Sequence, residues 1–114
     1  MKLGLFVIFF IFLTKFASAN EYNFQKIVTL DKPWGSTFVN DNQILLTEVS
    51  GKIKLVNLNS KDIKIIDHNL KVFEYGQGGL LDIIFKDGVV WVSYTEDRGN
   101  YKTSTSIARG NFSR

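Results

Sequence analysis

From about residue 24 onward, short apolar or alternating segments are separated by polar, turn-forming residues, and no long segment has apolar residues at helical spacing. This pattern predicts eight β-strands, near Phe24–Leu30, Gly35–Val39, Gln43–Glu48, Lys52–Leu58, Ile63–Ile66, Leu80–Phe85, Val89–Thr95 and Ser104–Arg109. The residues between them tolerate the positive φ or local hydrogen bonding that tight hairpins require: Asp41-Asn42, Ser50-Gly51, Asn59-Ser60, Asp87-Gly88 and Gly99-Asn100. The sequence therefore predicts an all-β fold of successive antiparallel hairpins.

An internal repeat makes this prediction more specific. Segment 38–48 (FVNDNQILLTE) is similar to segment 85–96 (FKDGVVWVSYTE), and each has a Phe, an Asp-containing turn, an apolar strand and Thr-Glu. Positions 38 and 85 are 47 residues apart, and positions 47 and 95 are 48 apart. This period lies between the ~40–45 and ~50 residues of known β-propeller blades, each a four-stranded sheet. We expect one blade from Gly35 to Ile66 and most of a second from Leu80 to Arg109; chance similarity between two hairpins is the alternative.

The first nineteen residues have a different pattern. A positive start at Met1-Lys2 is followed by an apolar run of about eleven residues, Leu3–Leu13, which is shorter than the ~20 needed to cross a bilayer. Ala17-Ser18-Ala19 then places small side chains where signal peptidase requires them. The pattern predicts a signal peptide over residues 1–19, a periplasmic or secreted mature chain without a membrane anchor, and, as the alternative, a buried core helix.

Removal of this segment changes the charge balance. The whole chain has 14 Lys+Arg and 11 Asp+Glu, but Lys2 and Lys15 would be lost, which leaves 12 basic against 11 acidic residues. No basic run with interleaved aromatic residues remains, so nucleic-acid binding has little support. Cysteine is absent, which excludes disulfides and thiolate metal sites.

Two blades do not complete a propeller. A ring closes with about four to eight blades, so two of them leave open strand edges and an uncovered apolar flank. We therefore expect residues 20–114 to be the truncated N-terminal part of a β-propeller domain.

Several segments resemble the soluble glucose/sorbosone dehydrogenases, six-bladed propellers that use pyrroloquinoline quinone (PQQ). They are Pro33-Trp34-Gly35, Leu45-Leu46-Thr47-Glu48, Ser50-Gly51-Lys52-Ile53, Gly76-Gln77-Gly78-Gly79-Leu80-Leu81-Asp82, Val92-Ser93-Tyr94 and Ala108-Arg109-Gly110. The segment around Gln77 is the most specific. Val49 stands where the family often has Arg, and a longer turn with His-Pro-Asp-Phe is reduced to Lys86-Asp87-Gly88, differences that affect the substrate rim more than the fold.

The resemblance implies a periplasmic enzyme that oxidises an aldose at its anomeric carbon to a lactone, with PQQ and calcium bound. In the family the catalytic His, the Arg and the calcium ligands lie in later blades, so this chain contributes no catalytic or metal-binding residue and is expected to be inactive alone. One position matches: Gln77 corresponds to a glutamine near cofactor and sugar, and Gly76, Gly78 and Gly79 would let a flat cofactor approach. The alternative is a Gly-rich loop between blades whose Gln satisfies backbone groups.

Other residues have structural interpretations. His68 is predicted to be a surface residue, and Trp34 and Trp91 to pack in the core or between blades. Glu48 and Asp82 are single carboxylates for which the sequence identifies no partner. An alternative function is a non-catalytic secreted propeller that binds carbohydrate or protein. The dehydrogenase hypothesis requires His, Arg and calcium ligands facing Gln77, and the binding hypothesis does not.

Overall fold

The computed structural model describes residues 19–113, which form two antiparallel β-sheets. Within this range the strands are β1 (Pro33–Asn40), β2 (Gln43–Glu48), β3 (Ile53–Asn57), β4 (Ile63–Ile66), β5 (Leu80–Lys86), β6 (Val89–Asp97) and β7 (Thr103–Asn111). None of the described residues belongs to a helix long and apolar enough to cross a membrane. The predicted signal peptide lies, apart from Ala19, outside the described residues.

Each sheet is a simple meander. The first has the strand order β1-β2-β3-β4 and the second β5-β6-β7. The β5–β6 turn has positive φ at both central residues, 51° at Asp87 and 77° at Gly88, as a two-residue hairpin turn that matches strand twist requires. The hairpins and the two blade-like units are thus confirmed, and the second unit has three of the four strands of a blade.

The core lies between the two sheets, where β1 and β5 run side by side. Its most buried apolar side chains are Leu45, Leu80 and Ile83. A Cβ on Gly35 would lie 2.9 Å from the Asp82 Cα atom, so only glycine allows this approach of the two strands. The described residues form an all-β partial propeller of two adjacent blades.

The strand predicted at residues 24–30 is not formed. These residues pair with no strand of residues 19–113, and Phe24 is 92% exposed. Neither tryptophan lies in the core of the described residues, since Trp34 is 56% and Trp91 41% exposed. The alternative, that they pack between blades, stays a prediction.

Candidate functional site

The glycine-rich segment lies in the connection between β4 and β5 and is held against the end of β6. Val72 forms a β-bridge with Glu96, and the Phe73 N–H donates to the Thr95 carbonyl at 2.9 Å. The Asp97 N–H donates to the Lys71 carbonyl, also at 2.9 Å. These backbone bonds fix the connection just before the segment that carries Gln77.

Gln77 lies at the tip of a tight turn between Tyr75 and Gly78. The Gly78 N–H donates to the Tyr75 carbonyl at 2.8 Å, and the Tyr75 N–H donates to the Gly78 carbonyl at 3.3 Å. Gly76 has a φ of 58°, which suits the first central position of a type II′ turn. The turn is closed by backbone bonds alone, and the Gln77 side chain is exposed at its tip.

The two glycines after Gln77 lie so close to neighbouring protein atoms that a side chain would not fit at either position. A Cβ on Gly78 would lie 2.9 Å from Thr95 Oγ1, and one on Gly79 would overlap the Val49 carbonyl oxygen and lie 2.6 Å from Val49 Cγ1. Beside Gly76, in contrast, no atom lies within 4 Å of a Cβ position. Gly79 therefore serves the packing between the blades, Gly78 serves the packing of the turn on β6, and Gly76 leaves one side of the Gln77 turn open.

Two threonines at equivalent positions of the internal repeat each bind a glycine, one near the start of β1 and one just before β5. The Thr47 hydroxyl accepts from the Gly35 N–H at 2.9 Å, and the Thr95 hydroxyl accepts from the Gly79 N–H at 3.2 Å. Thr47 also donates to the Leu81 carbonyl. Sequence reasoning gave these residues no role, although their repetition as Thr-Glu was the available signal.

Glu48 has a partner that the sequence analysis does not identify. It is fully buried, and its Oε1 accepts from Lys54 Nζ at 2.6 Å and from the Asp31 N–H at 2.8 Å. Burial disfavours the charged form, but the hydrogen bond from Lys54 and that from Asp31 outweigh it and hold the pKa of Glu48 below its ordinary value of 4.5. Glu48 Oε2 accepts no hydrogen bond from the described residues. The ion pair joins β2 to β3, and the hydrogen bond from the Asp31 N–H anchors residue 31, just before β1, to the end of β2.

An exposed ion pair lies at the same end of the sheets. Lys32 Nζ is 3.0 Å from Glu74 Oε1, and the hydrogen bond to Glu74 raises the pKa of Lys32. Because both groups are solvent-accessible, the pair orients the connection near Gln77 more than it stabilises the fold.

The remaining candidates do not converge on Gln77. His68 is exposed as predicted, and both ring nitrogens are engaged, Nε2 with the Gly51 carbonyl at 2.6 Å and Nδ1 with the Leu70 N–H at 3.2 Å. Asp82 Oδ1 accepts from the Ile83 N–H at 2.8 Å. Residues 19–113 contain no group of three or more His, Cys, Asp or Glu side chains placed to hold a metal ion. An apolar cleft of about 160 Å³ between the sheets includes Leu45 and Phe112 in its lining but no residue of the Gln77 turn.

Comparison with known proteins gives consistent matches. Residues 30–114 match the family model described as Glucose / Sorbosone dehydrogenase. The chain is 29% identical over 90 residues to an aldose sugar dehydrogenase of Escherichia coli K12, covering 74% of this chain and 24% of that protein.

Solved structures show the same relationship. The apo form of the soluble aldose sugar dehydrogenase of E. coli superposes with a TM-score of 0.66 at 30% identity, over 74% of this chain and 26% of that one. The PQQ-bound form of an aldose sugar dehydrogenase from Streptomyces coelicolor has a TM-score of 0.62 at 22% identity, over 71% of this chain and 25% of that one, and shows likeness of fold. The chain thus spans about a quarter of the length of these proteins.

Proposed function

Because this chain belongs to the glucose/sorbosone dehydrogenase family, we propose that it is the first part of an aldose sugar dehydrogenase that oxidises the anomeric carbon of a sugar to a lactone. The observation that carries the proposal is the family match over residues 30–114, which includes Gln77. In this reaction the C1–H bond breaks with transfer of a hydride, and the C1 hydroxyl loses its proton. PQQ, when bound, supplies the two-electron acceptor, and a calcium ion is part of the proposed site.

The structure of the Gln77 turn fits a flat, oxygen-rich ligand. The amide is exposed at the tip and can donate to and accept from ligand oxygens, and the open side at Gly76 permits close approach. The turn is held by the Tyr75–Gly78 backbone bonds and by Thr95. We infer that Gln77 positions sugar or cofactor and does not itself transfer protons.

The proton acceptor would come from outside this chain. His68 is the only histidine in the sequence, and its ring is already bonded to the backbone on the β2–β3 side of the connection. The chain by itself is therefore expected to be inactive. This agrees with its covering only 24% of the aldose sugar dehydrogenase that it matches.

A Gln77→Ala substitution tests the role of the turn. In the product of the complete coding sequence, loss of one ligand hydrogen bond is expected to raise the KM for the sugar or the Kd for PQQ about tenfold, with little change in thermal stability. Steady-state kinetics with several aldoses and equilibrium dialysis of PQQ would separate the two effects.

The exposed Gln25 supplies a matched control, since Gln25→Ala removes the same amide outside the proposed site. Equal behaviour of the two variants would contradict the role of Gln77. A complete product that retains the blade repeat but neither binds PQQ nor oxidises any aldose would instead indicate a non-catalytic propeller.

We also propose export to the periplasm or the medium. The expected mature N-terminus is Asn20, because residues 17–19 offer a small-residue cleavage site. Mass spectrometry of the protein recovered from the periplasm or the medium checks this, and a cell-associated product that retains Met1 would contradict it.

A further inference from the structure

Segment 73–79, here called the Gln77 loop, is the part of the β4–β5 connection that loops out from the edge of β6. Val72, just before the loop, and Leu80, just after it, pair in antiparallel orientation with the β6 residues on the two sides of Thr95. Thr95 is thus the single β6 residue that lies opposite the whole loop. The attachment of the loop to β6 therefore depends on Thr95.

Thr95 forms hydrogen bonds with both ends of the Gln77 loop. At the first end, the Phe73 N–H donates to the Thr95 carbonyl at 2.9 Å. At the second end, the Thr95 N–H donates to the Gly79 carbonyl at 2.8 Å, and the Thr95 hydroxyl accepts from the Gly79 N–H at 3.2 Å. One residue therefore holds the two ends of the loop, and it occupies both backbone groups of Gly79.

Only one of these hydrogen bonds depends on the type of side chain at position 95. Any residue offers a backbone carbonyl and almost any a backbone N–H, whereas the bond to the Gly79 N–H requires a side-chain acceptor. The same hydroxyl oxygen lies 2.9 Å from the place that a Cβ on Gly78 would take, so it directly underlies the turn. Gly79 is buried, and a buried N–H without an acceptor is costly. Loss of the hydroxyl would therefore displace the end of the loop.

The inside of the loop transmits such a displacement to Gln77. Tyr75 and Gly78 exchange two backbone hydrogen bonds, of 2.8 Å and 3.3 Å, which close the turn on itself. A shift of Gly78 therefore moves the whole turn, including its tip. The exposed Gln77 amide is thus carried by a turn whose position is set from Gly78 and Gly79.

We propose that Thr95 is a positioning residue for Gln77: its hydroxyl sets the place from which the Gln77 amide binds sugar or PQQ, and it influences ligand binding through that amide alone. The inference rests on the proposed function, because that function supplies the ligand of Gln77. A hydrogen bond weakens steeply when its donor or acceptor is displaced or tilted. Loss of the Thr95 hydroxyl should therefore reproduce part of the loss of the Gln77 amide.

Ligand binding by variants of the complete coding sequence's product tests the proposal. Thr95→Val keeps the branched shape but removes the hydroxyl. It is expected to raise about fivefold the same constant that Gln77→Ala raises, the KM for the sugar or the Kd for PQQ, with little change in kcat. Thr95→Ser keeps the hydroxyl and should restore the unmodified value. Adding Thr95→Val to Gln77→Ala should cause no further change; an equal change in both backgrounds, or none in either, would overturn the proposal.

Thr37→Val is the matched control for loss of a threonine hydroxyl. The Thr37 hydroxyl accepts from the Phe85 N–H at 3.1 Å, near the end of β5 that is away from the Gln77 loop. Its removal should lower the melting temperature about as much as Thr95→Val does and leave KM and Kd unchanged. An equal rise of KM or Kd in the two variants would show a general effect of stability and would contradict the positioning role.

Hydrogen exchange of the complete product without ligand separates failure of this proposal from failure of the proposed function. In Thr95→Val the Gly78 N–H, which donates to Tyr75, is expected to exchange about fivefold faster because the turn is loosened. The Lys102 N–H of the β6–β7 turn should exchange as before. Unchanged exchange at Gly78 would overturn the role of Thr95 even in an active enzyme. Faster exchange in a product that neither oxidises an aldose nor binds PQQ would overturn the proposed function and still support the hold of Thr95 on the turn.

Discussion

Replacement of Gly79 by alanine is expected to lower the free energy of unfolding by about 3 kcal/mol. Gly79 has a φ of 155°, and its Cβ would overlap the Val49 carbonyl oxygen, which accepts from the Leu80 N–H at 3.0 Å. The new methyl group would push the first blade away from the start of β5 and break this bond. Urea unfolding followed by circular dichroism measures the effect.

Gly110→Ala is the matched control for this substitution. Gly110 lies within a strand, and no atom is within 4 Å of its Cβ position. Its replacement is expected to change the free energy of unfolding by less than about 1 kcal/mol. Similar losses for Gly79→Ala and Gly110→Ala would show that the close approach of the blades at Gly79 does not limit stability.

The features that the sequence predicts well are local. Turn residues such as Asp87-Gly88 carry the backbone requirement of a hairpin in their own chemistry. The repeat of Thr-Glu at 47–48 and 95–96 predicts two equivalent units, and Thr47 and Thr95 do occupy equivalent positions beside glycines. Short-range patterns therefore suffice for the hairpins and for the blade order.

Features that depend on a neighbouring sheet are not predicted from these patterns. Residues 24–30 have strand-like composition, yet they pair with no strand of the described residues, and composition alone does not specify which edge a segment pairs with. Trp91 suits a buried pleated surface, but its exposure is decided by what lies beyond the second sheet. For Gln77, the family resemblance supplies the proposed role, and the structure adds that its amide is exposed on a fixed turn.

The buried ion pair was missed because it depends on strand register. Leu46 pairs with Lys54 across β2 and β3, which places Lys54 diagonal to Glu48 on the same face. The two charged residues are six positions apart in sequence, so their contact follows only once the length of the β2–β3 turn is known. A single carboxylate within an apolar strand is, in retrospect, an indication that a cation lies on the adjacent strand, since an unpaired buried charge is costly.

Removal of that cation by Lys54→Met is expected to lower the free energy of unfolding at neutral pH by about 2 kcal/mol, because a buried carboxylate loses its main partner. It is also expected to reverse the local pH dependence. In the unmodified chain the pKa of Glu48 is lowered in the folded state, so its stabilising contribution is present above the ordinary value of 4.5 and is lost as pH falls through the folded pKa. Without Lys54, burial is expected to raise the pKa of Glu48, so stability would increase as pH falls through the raised pKa.

Urea unfolding of both proteins between pH 3 and pH 7 measures this difference. Lys64→Met is the control, because Lys64 is exposed on β4 and takes no part in the Glu48 pair. Adding Glu48→Gln to Lys54→Met removes the buried charge and should restore part of the lost stability and abolish the reversed pH dependence. If Lys54→Met and Lys64→Met lose the same stability at every pH, the pair contributes nothing to holding residue 31 and β1 against β2.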